Sequence, residues 1–239
     1  CGVMMTIAMG ALMARLLGLN KDMGLLTGGS VAICGASAAL ALSAVMPRHE
    51  THERNTIMTV VGVTTLSTMA MVIYPLIVGL LDLGDTEAGI FLGGTIHDVA
   101  QVVGAGYMIS EGTGDVSTFV KLLRVAMLVP TVMVFMFLFR RERSQEEGAS
   151  KVPMLPTFLV AFVALVIINS LGWIPPTVAS SFTDLSRWCL VTAIAALGIK
   201  TSFQKLAVVG WKPVILMVAE TVFLLLVVLA FIYFDLVNL

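Results

Sequence analysis

The sequence predicts an all-α, polytopic helical membrane protein. Of its 239 residues, 58% are apolar and only 12% are Asp, Glu, Lys or Arg, whereas soluble domains have roughly 45–50% and 25%. The mean hydropathy is +1.00 and the formal net charge is -1. A soluble protein could not cover its surface with so few charges, and no basic excess is present to bind nucleic acid. The apolar content also excludes a disordered chain.

Eight stretches of the chain are long and apolar enough to cross a bilayer core, which needs about 20 helical residues. They are continuous and rich in Leu, Ala and Met, without the period-two alternation of membrane strands. In order, they cover residues 2–19, 24–46, 56–81, 88–110, 118–139, 155–172, 186–204 and 212–234. The prediction is a single transmembrane domain over 1–239 with a polar loop at 140–152. Because the chain begins with Cys in an apolar run and lacks a signal-peptide pattern, we expect further helices before it.

The charges of the loops test a simple alternating topology. The loops at 47–55 and 140–152 both carry Arg, whereas the acidic loop at 82–87 is expected outside the cell. Strict alternation of eight spans would place the two basic loops on opposite sides of the membrane. The loop charges agree with the topology if one Gly-rich segment, 24–46 or 88–110, is broken or re-entrant and does not cross as one plain helix. We therefore predict broken or re-entrant helices in these segments.

The two Gly-rich segments share a local pattern. Residues 28–30 are Gly-Gly-Ser, and residues 93–95 are Gly-Gly-Thr. Glycine allows an unwound turn, and discontinuous helices present free amides and carbonyls to substrates in many transporters. The amino terminus of such a half-helix favours an anion. Small residues also let helices pack closely without any ligand, but the polar residues in both segments favour a broken-helix site.

His97, Asp98 and Gln101 form the strongest polar feature. On a helix, Gln101 would lie one turn from both of the others, so the three would share a face. Ionisable groups at membrane depth are costly and indicate function. His97 could carry a proton near neutral pH, and Asp98 could bind a cation. The alternative is an ion pair with Lys121 or Arg124 that locks helices together.

Three basic residues lie in or near apolar segments. Lys121 and Arg124 share a helix face, where they either extend to the headgroups or form a cationic wall that attracts an anion. Lys200 lies within reach of the bilayer core if its helix continues to Gln204. It is an interfacial anchor if the helix ends at Gly198.

No catalytic motif is present in the sequence. Cys34 and His97 could meet as nucleophile and base, but no pattern places them together. The cysteines, Cys1, Cys34 and Cys189, have no metal-site spacing. We therefore expect no enzyme, no catalytic residue, no cofactor and no metal.

Four motifs, in order along the chain, carry a family resemblance. They are Ala-Ile-Cys-Gly-Ala-Ser-Ala at 32–38, Gly-Thr-Ile-His-Asp-Val-Ala-Gln-Val-Val at 94–103, Val-Lys-Leu-Leu-Arg-Val at 120–125 followed by Pro130, and Ala-Leu-Gly-Ile-Lys-Thr-Ser-Phe at 196–203. With these motifs, essentially the whole chain resembles the YeiH/TauZ-type family of bacterial inner-membrane proteins, which are described as sulfate exporters. The resemblance implies a multi-pass transporter in the inner membrane. It also implies inverted repeats like those of the bile-acid symporter and sodium–proton antiporter superfamily.

The function we predict is secondary transport of a small anion, either sulfate, sulfite or a related sulfur oxyanion, coupled to H⁺ or Na⁺. The ion-coupling residues would be His97 and Asp98. The substrate-binding residues would be Gly29, Ser30, Cys34, Gly35, Ser37, Thr95, Gln101, Arg124 and Lys200.

The partners we expect are the anion, the coupling ion and the lipid bilayer, with a homodimer left open and no nucleic acid. The first alternative is a cation–proton antiporter that uses Asp98. The second is an intramembrane enzyme that uses Cys34 and His97. The third is a scaffold or sensor subunit that transports nothing.

Overall fold

The computed structural model describes residues 2–47, 51–139, 157–175 and 211–234, with isolated positions between 177 and 192. Every regular element in these ranges is an α-helix, which confirms the helical fold class. The helices are α1 (Gly2–Leu16), α2 (Lys21–Ala32), α3 (Ala36–Val45), α4 (His52–Leu80), α5 (Asp85–Thr95), α6 (Val99–Ile109), α7 (Glu111–Ala126), α8 (Leu128–Leu138), α9 (Thr157–Ser170) and α10 (Trp211–Tyr233). The predicted loop 140–152 and most of the predicted span 186–204 lie outside the described residues.

Three helical stretches within the described residues are long and apolar enough to cross a membrane. They are α4, the pair α7 and α8 taken together as Glu111–Leu138, and α10. Helix α7 begins earlier than the predicted boundary at 118 because Ser110 caps it. The Ser110 side chain accepts a hydrogen bond from the Thr113 amide, so the polar first turn belongs to the helix.

The first Gly-rich segment is a helical hairpin. Helices α2 and α3 are joined by a turn at 33–35, where Gly35 has a φ of +66°, a conformation that L side chains rarely adopt. A Cβ added at Gly29 would overlap Leu42 Cδ1. In a continuous helix these two residues would lie about 20 Å apart along the axis. Helix α3 therefore folds back along α2, and we call the pair the first hairpin.

The second Gly-rich segment folds back in the same way. Helices α5 and α6 are joined by residues 96–98, and both pack on Ser117 of α7. A Cβ at Gly93 would overlap the Ser117 carbonyl oxygen, and a Cβ at Gly106 would overlap its hydroxyl oxygen. Thr113, just after α6, contacts Asp85 at the start of α5. The Thr113 hydroxyl donates to Asp85 Oδ1 over 3.1 Å. The second hairpin thus enters and leaves at one end of the bundle.

The hairpins enter from opposite ends of the bundle. At the basic end, Lys212 Nζ lies 3.9 Å from the Cβ position of Gly18 before the first hairpin, and Ser43 of α3 lies 2.7 Å from Thr56 of α4. Helix α4 then runs to the acidic end, where the second hairpin begins. The chain thus repeats a helix and a hairpin in inverted directions, as the family resemblance implied.

Charge separates these two ends in the described ranges. The Lys and Arg side chains at the basic end are Arg15, Lys21, Arg54 and Lys212, and Asp22 and Glu53 lie with them. The charged side chains at the acidic end are Asp82, Asp85, Glu87, Glu111 and Asp115. Because the second hairpin returns to the end where it begins, only α4 and the α7–α8 pair run from one end of the bundle to the other between the two predicted basic loops. Two crossings between these loops remove the conflict in their charges. The second hairpin alone accounts for this, because the first hairpin precedes both loops and does not change the count.

The Gly-Gly pairs do not break the helices, contrary to our prediction that they allow an unwound turn. Gly29 lies inside α2 and Gly93 inside α5, and the breaks follow at 33–35 and 96–98. A Cβ at Gly28 would lie 3.1 Å from Ile7 Cα, and one at Gly94 would lie 3.1 Å from Val228 Cγ1. The paired glycines therefore allow close helix packing, and Gly35 provides the turn.

Candidate functional site

The tips of the two hairpins meet halfway along the longest helices. A Cβ at Gly35 would lie 3.4 Å from His97 Cβ. The Asp98 amide donates to Ser67 Oγ in the middle of α4 over 3.0 Å. His97 Nε2 lies 3.1 Å from Thr221 Oγ1 in the middle of α10. We call this meeting point, formed by residues 31–37 and 93–101 with the side chains that contact them, the hairpin junction.

Arg124 joins the two hairpins through their backbone carbonyls. Its Nε and Nη2 donate to Ala32 O over 3.0 and 2.7 Å, and Nη2 also donates to Val31 O over 3.0 Å. Its Nη1 donates to Gly93 O over 3.1 Å and to Ile96 O over 3.3 Å. These bonds use all five N–H donors of a guanidinium group. Arg124 therefore contacts the carboxyl ends of α2 and α5 at once.

Lys121 lies one turn before Arg124 and has a similar role. Its ammonium donates to Ile33 O over 2.8 Å and to Ile96 O over 2.9 Å, and its side chain is 0% exposed. The interpretation that Lys121 and Arg124 extend to the headgroups is therefore wrong. Both side chains point into the bundle from the middle of the α7–α8 span.

The carbonyls at a helix carboxyl end explain why these cations are buried. The last turn of a helix leaves carbonyl groups without intrahelical partners, and the helix dipole gives this end partial negative charge. Helices α2 and α5 both end inside the bundle, away from water. Lys121 and Arg124 supply the missing donors and the opposite charge.

Asp98 caps the half-helix that follows the second break. Its Oδ1 accepts from the Ala100 amide over 2.8 Å and from the Gln101 amide over 3.4 Å, as an N-cap residue does. No ion pair joins Asp98 to Lys121 or Arg124 among the described residues. The negative carboxylate thus lies at the positive end of the α6 dipole.

His97, Asp98 and Gln101 do not share a helix face, contrary to our prediction. The helix is broken at 96–98, so the three side chains point to different elements. His97 contacts Thr221 of α10, Asp98 caps α6, and Gln101 Nε2 donates to Thr68 of α4 over 3.0 Å. The break separates what a continuous helix would have aligned.

Three buried polar atoms in this region have no hydrogen-bond partner within the described part of the chain. They are His97 Nδ1, Gln101 Oε1 and Glu220 Oε2. Unpartnered buried polar atoms are uncommon in native proteins and indicate water, a ligand or a functional group. The His97 and Gln101 atoms belong to the hairpin junction, and Glu220 is one residue before Thr221.

The other predicted site residues divide into two groups. Cys34 and Gly35 form the first tip, and Ser37 lies exposed in the first turn of α3. Ser30 and Thr95 are buried and donate their hydroxyl protons within their own helices, to Leu26 O over 2.5 Å and to Phe91 O over 2.6 Å. Gly29 contacts Leu42 and lies one turn before the break. Lys200 lies outside the described residues.

Glu220 is the main residue of this region that the sequence motifs did not indicate. Its carboxylate accepts a hydrogen bond from Thr27 Oγ1 of α2 over 2.8 Å, and its side chain is 0% exposed. It is the one acidic residue of the apolar stretch Trp211–Tyr233. An acidic residue in the middle of a membrane segment indicates function by itself, so the sequence alone could have identified it.

No group of three or more His, Cys, Asp or Glu side chains that could hold a metal ion is found in the described ranges. The hydrogen bonds of the junction, from cations to carbonyls and from amides to a carboxylate, are typical of discontinuous helices that bind ions or substrates in transporters.

Most of the chain matches a known protein family. Residues 1–217 match the family described as conserved hypothetical protein 698. The chain is 55% identical to UPF0324 membrane protein CT0845 of Chlorobaculum tepidum, over 95% of the chain and 63% of that protein. It is 51% identical to UPF0324 membrane protein TauZ of Paracoccus pantotrophus, over 96% of the chain and 68% of that protein.

A third relative gives the same result. UPF0324 membrane protein RB0971 of Rhizobium meliloti is 47% identical over 97% of the chain and 68% of its own length. The chain thus spans 63–68% of the length of these curated relatives. No solved structure matches it.

Proposed function

The chain belongs to the family of conserved hypothetical protein 698, the UPF0324 membrane proteins, and we propose that it is the core of a secondary transporter for a small anion. This membership confirms the YeiH/TauZ-type family that the sequence motifs indicated. The names of the relatives establish a membrane protein. Transport, substrate and coupling are our proposals.

The proposal depends on one observation, the two buried cations at the hairpin junction. Lys121 and Arg124 lie halfway through the bundle, where the tips of two oppositely directed hairpins meet. Asp98 contributes one negative charge there, so the three side chains carry a net positive charge beside the partially negative carboxyl ends of α2 and α5. Burying charges at membrane depth is costly, and a net positive set of side chains between the tips of two hairpins favours an anion.

Free hydrogen-bond donors at the junction support an anion further. An ammonium group has three N–H donors, and Lys121 gives two of them to carbonyls in the described structure. Gly35, the residue before α3, has no side chain that could cap the helix, although the Ala38 amide of the first turn interacts with the Cys34 side chain. Exposed Ser37 adds a hydroxyl in the same turn. An anion at this turn would be stabilised by the amides and the helix dipole.

The charges of the two ends support an orientation in the bacterial inner membrane. Loops rich in Lys and Arg remain in the cytoplasm. The basic end, with Arg15, Lys21, Arg54 and Lys212, would therefore face the cytoplasm. The acidic end would face the periplasm, in agreement with the expectation for the loop at 82–87.

The substrate class that we propose is a sulfur oxyanion, either sulfate, sulfite or a related species. A divalent anion needs about two compensating positive charges in a site of low dielectric constant. Lys121 and Arg124 supply two, without Lys200. The description of the resembling family as sulfate exporters points to the same class.

Two alternatives receive less support from the geometry. A cation–proton antiporter would need Asp98 as a free ion ligand, but its Oδ1 caps α6. An intramembrane enzyme would need Cys34 and His97 in contact. No hydrogen bond joins them within the described residues, and His97 Nε2 instead contacts Thr221. That the chain is not an enzyme stays a prediction.

The test of anion transport uses the full-length protein in liposomes on a solid-supported membrane. Sulfate, sulfite, taurine and chloride are applied in turn, with and without a pH or Na⁺ gradient. We expect a current evoked by a sulfur oxyanion and not by chloride. Currents from Na⁺ or pH alone would contradict the proposal and favour the antiporter. Folded protein that gives neither current nor tracer flux of any of these solutes would also contradict it.

A further inference from the structure

Glu220 is a buried carboxyl group that the anion site leaves without a role. It lies near the middle of α10 and is 0% exposed. Its Oε1 accepts from Thr27 Oγ1 over 2.8 Å, whereas Oε2 has no partner among the described residues. An ionised carboxylate with one neutral hydrogen bond is very costly in an apolar interior. The geometry therefore favours the neutral acid in the resting protein.

Among the described residues, no cation contacts Glu220. Helix α10 packs against α1, α2, α4 and α5. The ionisable side chains on the described residues of these helices lie at the basic or acidic end, with the exception of Tyr74 in α4. The connectors that follow α2 and α5 add Cys34, His97 and Asp98. None of these four side chains forms a hydrogen bond with Glu220 in the structure.

Glu220 is connected to both hairpins through α10. Thr27, its hydrogen-bond partner, lies in α2 of the first hairpin. The next residue, Thr221, contacts His97 at the tip of the second hairpin. A change in the charge of Glu220 would therefore act where α10 holds the two hairpins together. This connection is what a coupling residue requires.

We propose that Glu220 is the proton-binding carboxyl group that couples anion movement to H⁺. Its carboxylate becomes a carboxylic acid when it takes up H⁺, and it releases the same proton when it ionises, with no oxidation or reduction. The proposal deepens the transport function above and rests on it for the coupling. It differs from our sequence-based assignment to His97 and Asp98, because the Asp98 carboxylate is held by two backbone amides.

The first test detects the proton on Glu220 without measuring transport. Infrared spectra of the full-length protein in lipid vesicles record the C=O band of protonated carboxylic acids as pH is varied. We expect Glu220→Gln to lose one such band and Asp98→Asn to retain it. Glu220→Asp, which keeps a carboxyl group, should shift the band. A spectrum of Glu220→Gln with every band of the wild type would overturn the proposal.

The second test measures coupling in the same vesicles. An inward proton gradient should drive accumulation of the anion in the wild type, and Glu220→Gln should lose this accumulation while it still exchanges anion for anion. Proton-driven accumulation that is unchanged in Glu220→Gln would overturn the proposal and leave anion transport standing. A wild type that moves no anion would overturn the transport function, and the infrared band would still decide whether Glu220 binds a proton.

Discussion

Replacing Arg124 with alanine is expected to destabilise the protein more than any other single charge removal within the described structure. The change leaves Val31 O, Ala32 O and Gly93 O without the donors that Arg124 supplies. A buried acceptor without a partner costs about 1–3 kcal/mol. We therefore expect Arg124→Ala to lower the free energy of unfolding by about 3 kcal/mol or more. Thermal unfolding of the purified full-length protein in detergent measures the loss.

Two further variants isolate the cause of that loss. Arg15→Ala removes the same side chain from an exposed position at the basic end and should change stability by about 0.5 kcal/mol or less. Arg124→Lys keeps the positive charge but has fewer donors, so we expect an intermediate loss. An Arg124→Ala protein as stable as Arg15→Ala would contradict the role of Arg124 in joining the hairpins.

Adding one methyl group at Gly93 is expected to disturb the second hairpin. The Cβ would overlap the Ser117 carbonyl oxygen and lie 2.9 Å from Val120 Cβ. Because one of these atoms is backbone, α5 and α7 would have to move apart. Overpacking of this kind costs about 1–3 kcal/mol. We expect Gly93→Ala to lower the melting temperature and, if the junction shifts, to reduce transport.

Gly79→Ala is the matched control for that change. Gly79 also lies in a helix, but a Cβ there meets no atom within 4 Å. Alanine is favoured over glycine in a helix by up to about 1 kcal/mol, so Gly79→Ala should be neutral or slightly stabilising. Equal melting temperatures for Gly93→Ala and Gly79→Ala would show that the close packing of α5 on α7 is not present in the protein.

Local sequence pattern predicted the broken helices but not the positions of the breaks. Glycine pairs and loop charges together required an interruption in at least one Gly-rich segment. A Gly-Gly pair serves equally well for a turn or for close packing, because both need a missing side chain. Which use applies depends on the neighbouring helix, such as Ser117 against Gly93. Sequence spacing alone does not predict that contact.

The position of a charged side chain was the other feature that the sequence left open. Lys121 can extend to the headgroups or point inward from the same helix. The choice depends on where α2 and α5 end and leave carbonyl groups without partners. Those carbonyls come from residues far away in the chain, such as Ile33 and Ile96. Glu220 is different, since its type and place in an apolar helix were visible in the sequence. Only its partner Thr27 needed the structure.

The proposed transport function depends most on two hairpins that enter from opposite faces of the membrane. Single cysteines at Asn20, Glu53, Asp82 and Glu111, all exposed, can be labelled from either side in full-length protein whose native cysteines are replaced by serine. We predict that Asn20→Cys and Glu53→Cys react with an impermeant thiol reagent from one side, and Asp82→Cys and Glu111→Cys from the other. Labelling of Asp82→Cys and Glu111→Cys from opposite sides would mean that α5 and α6 cross the membrane, and would contradict the hairpin junction.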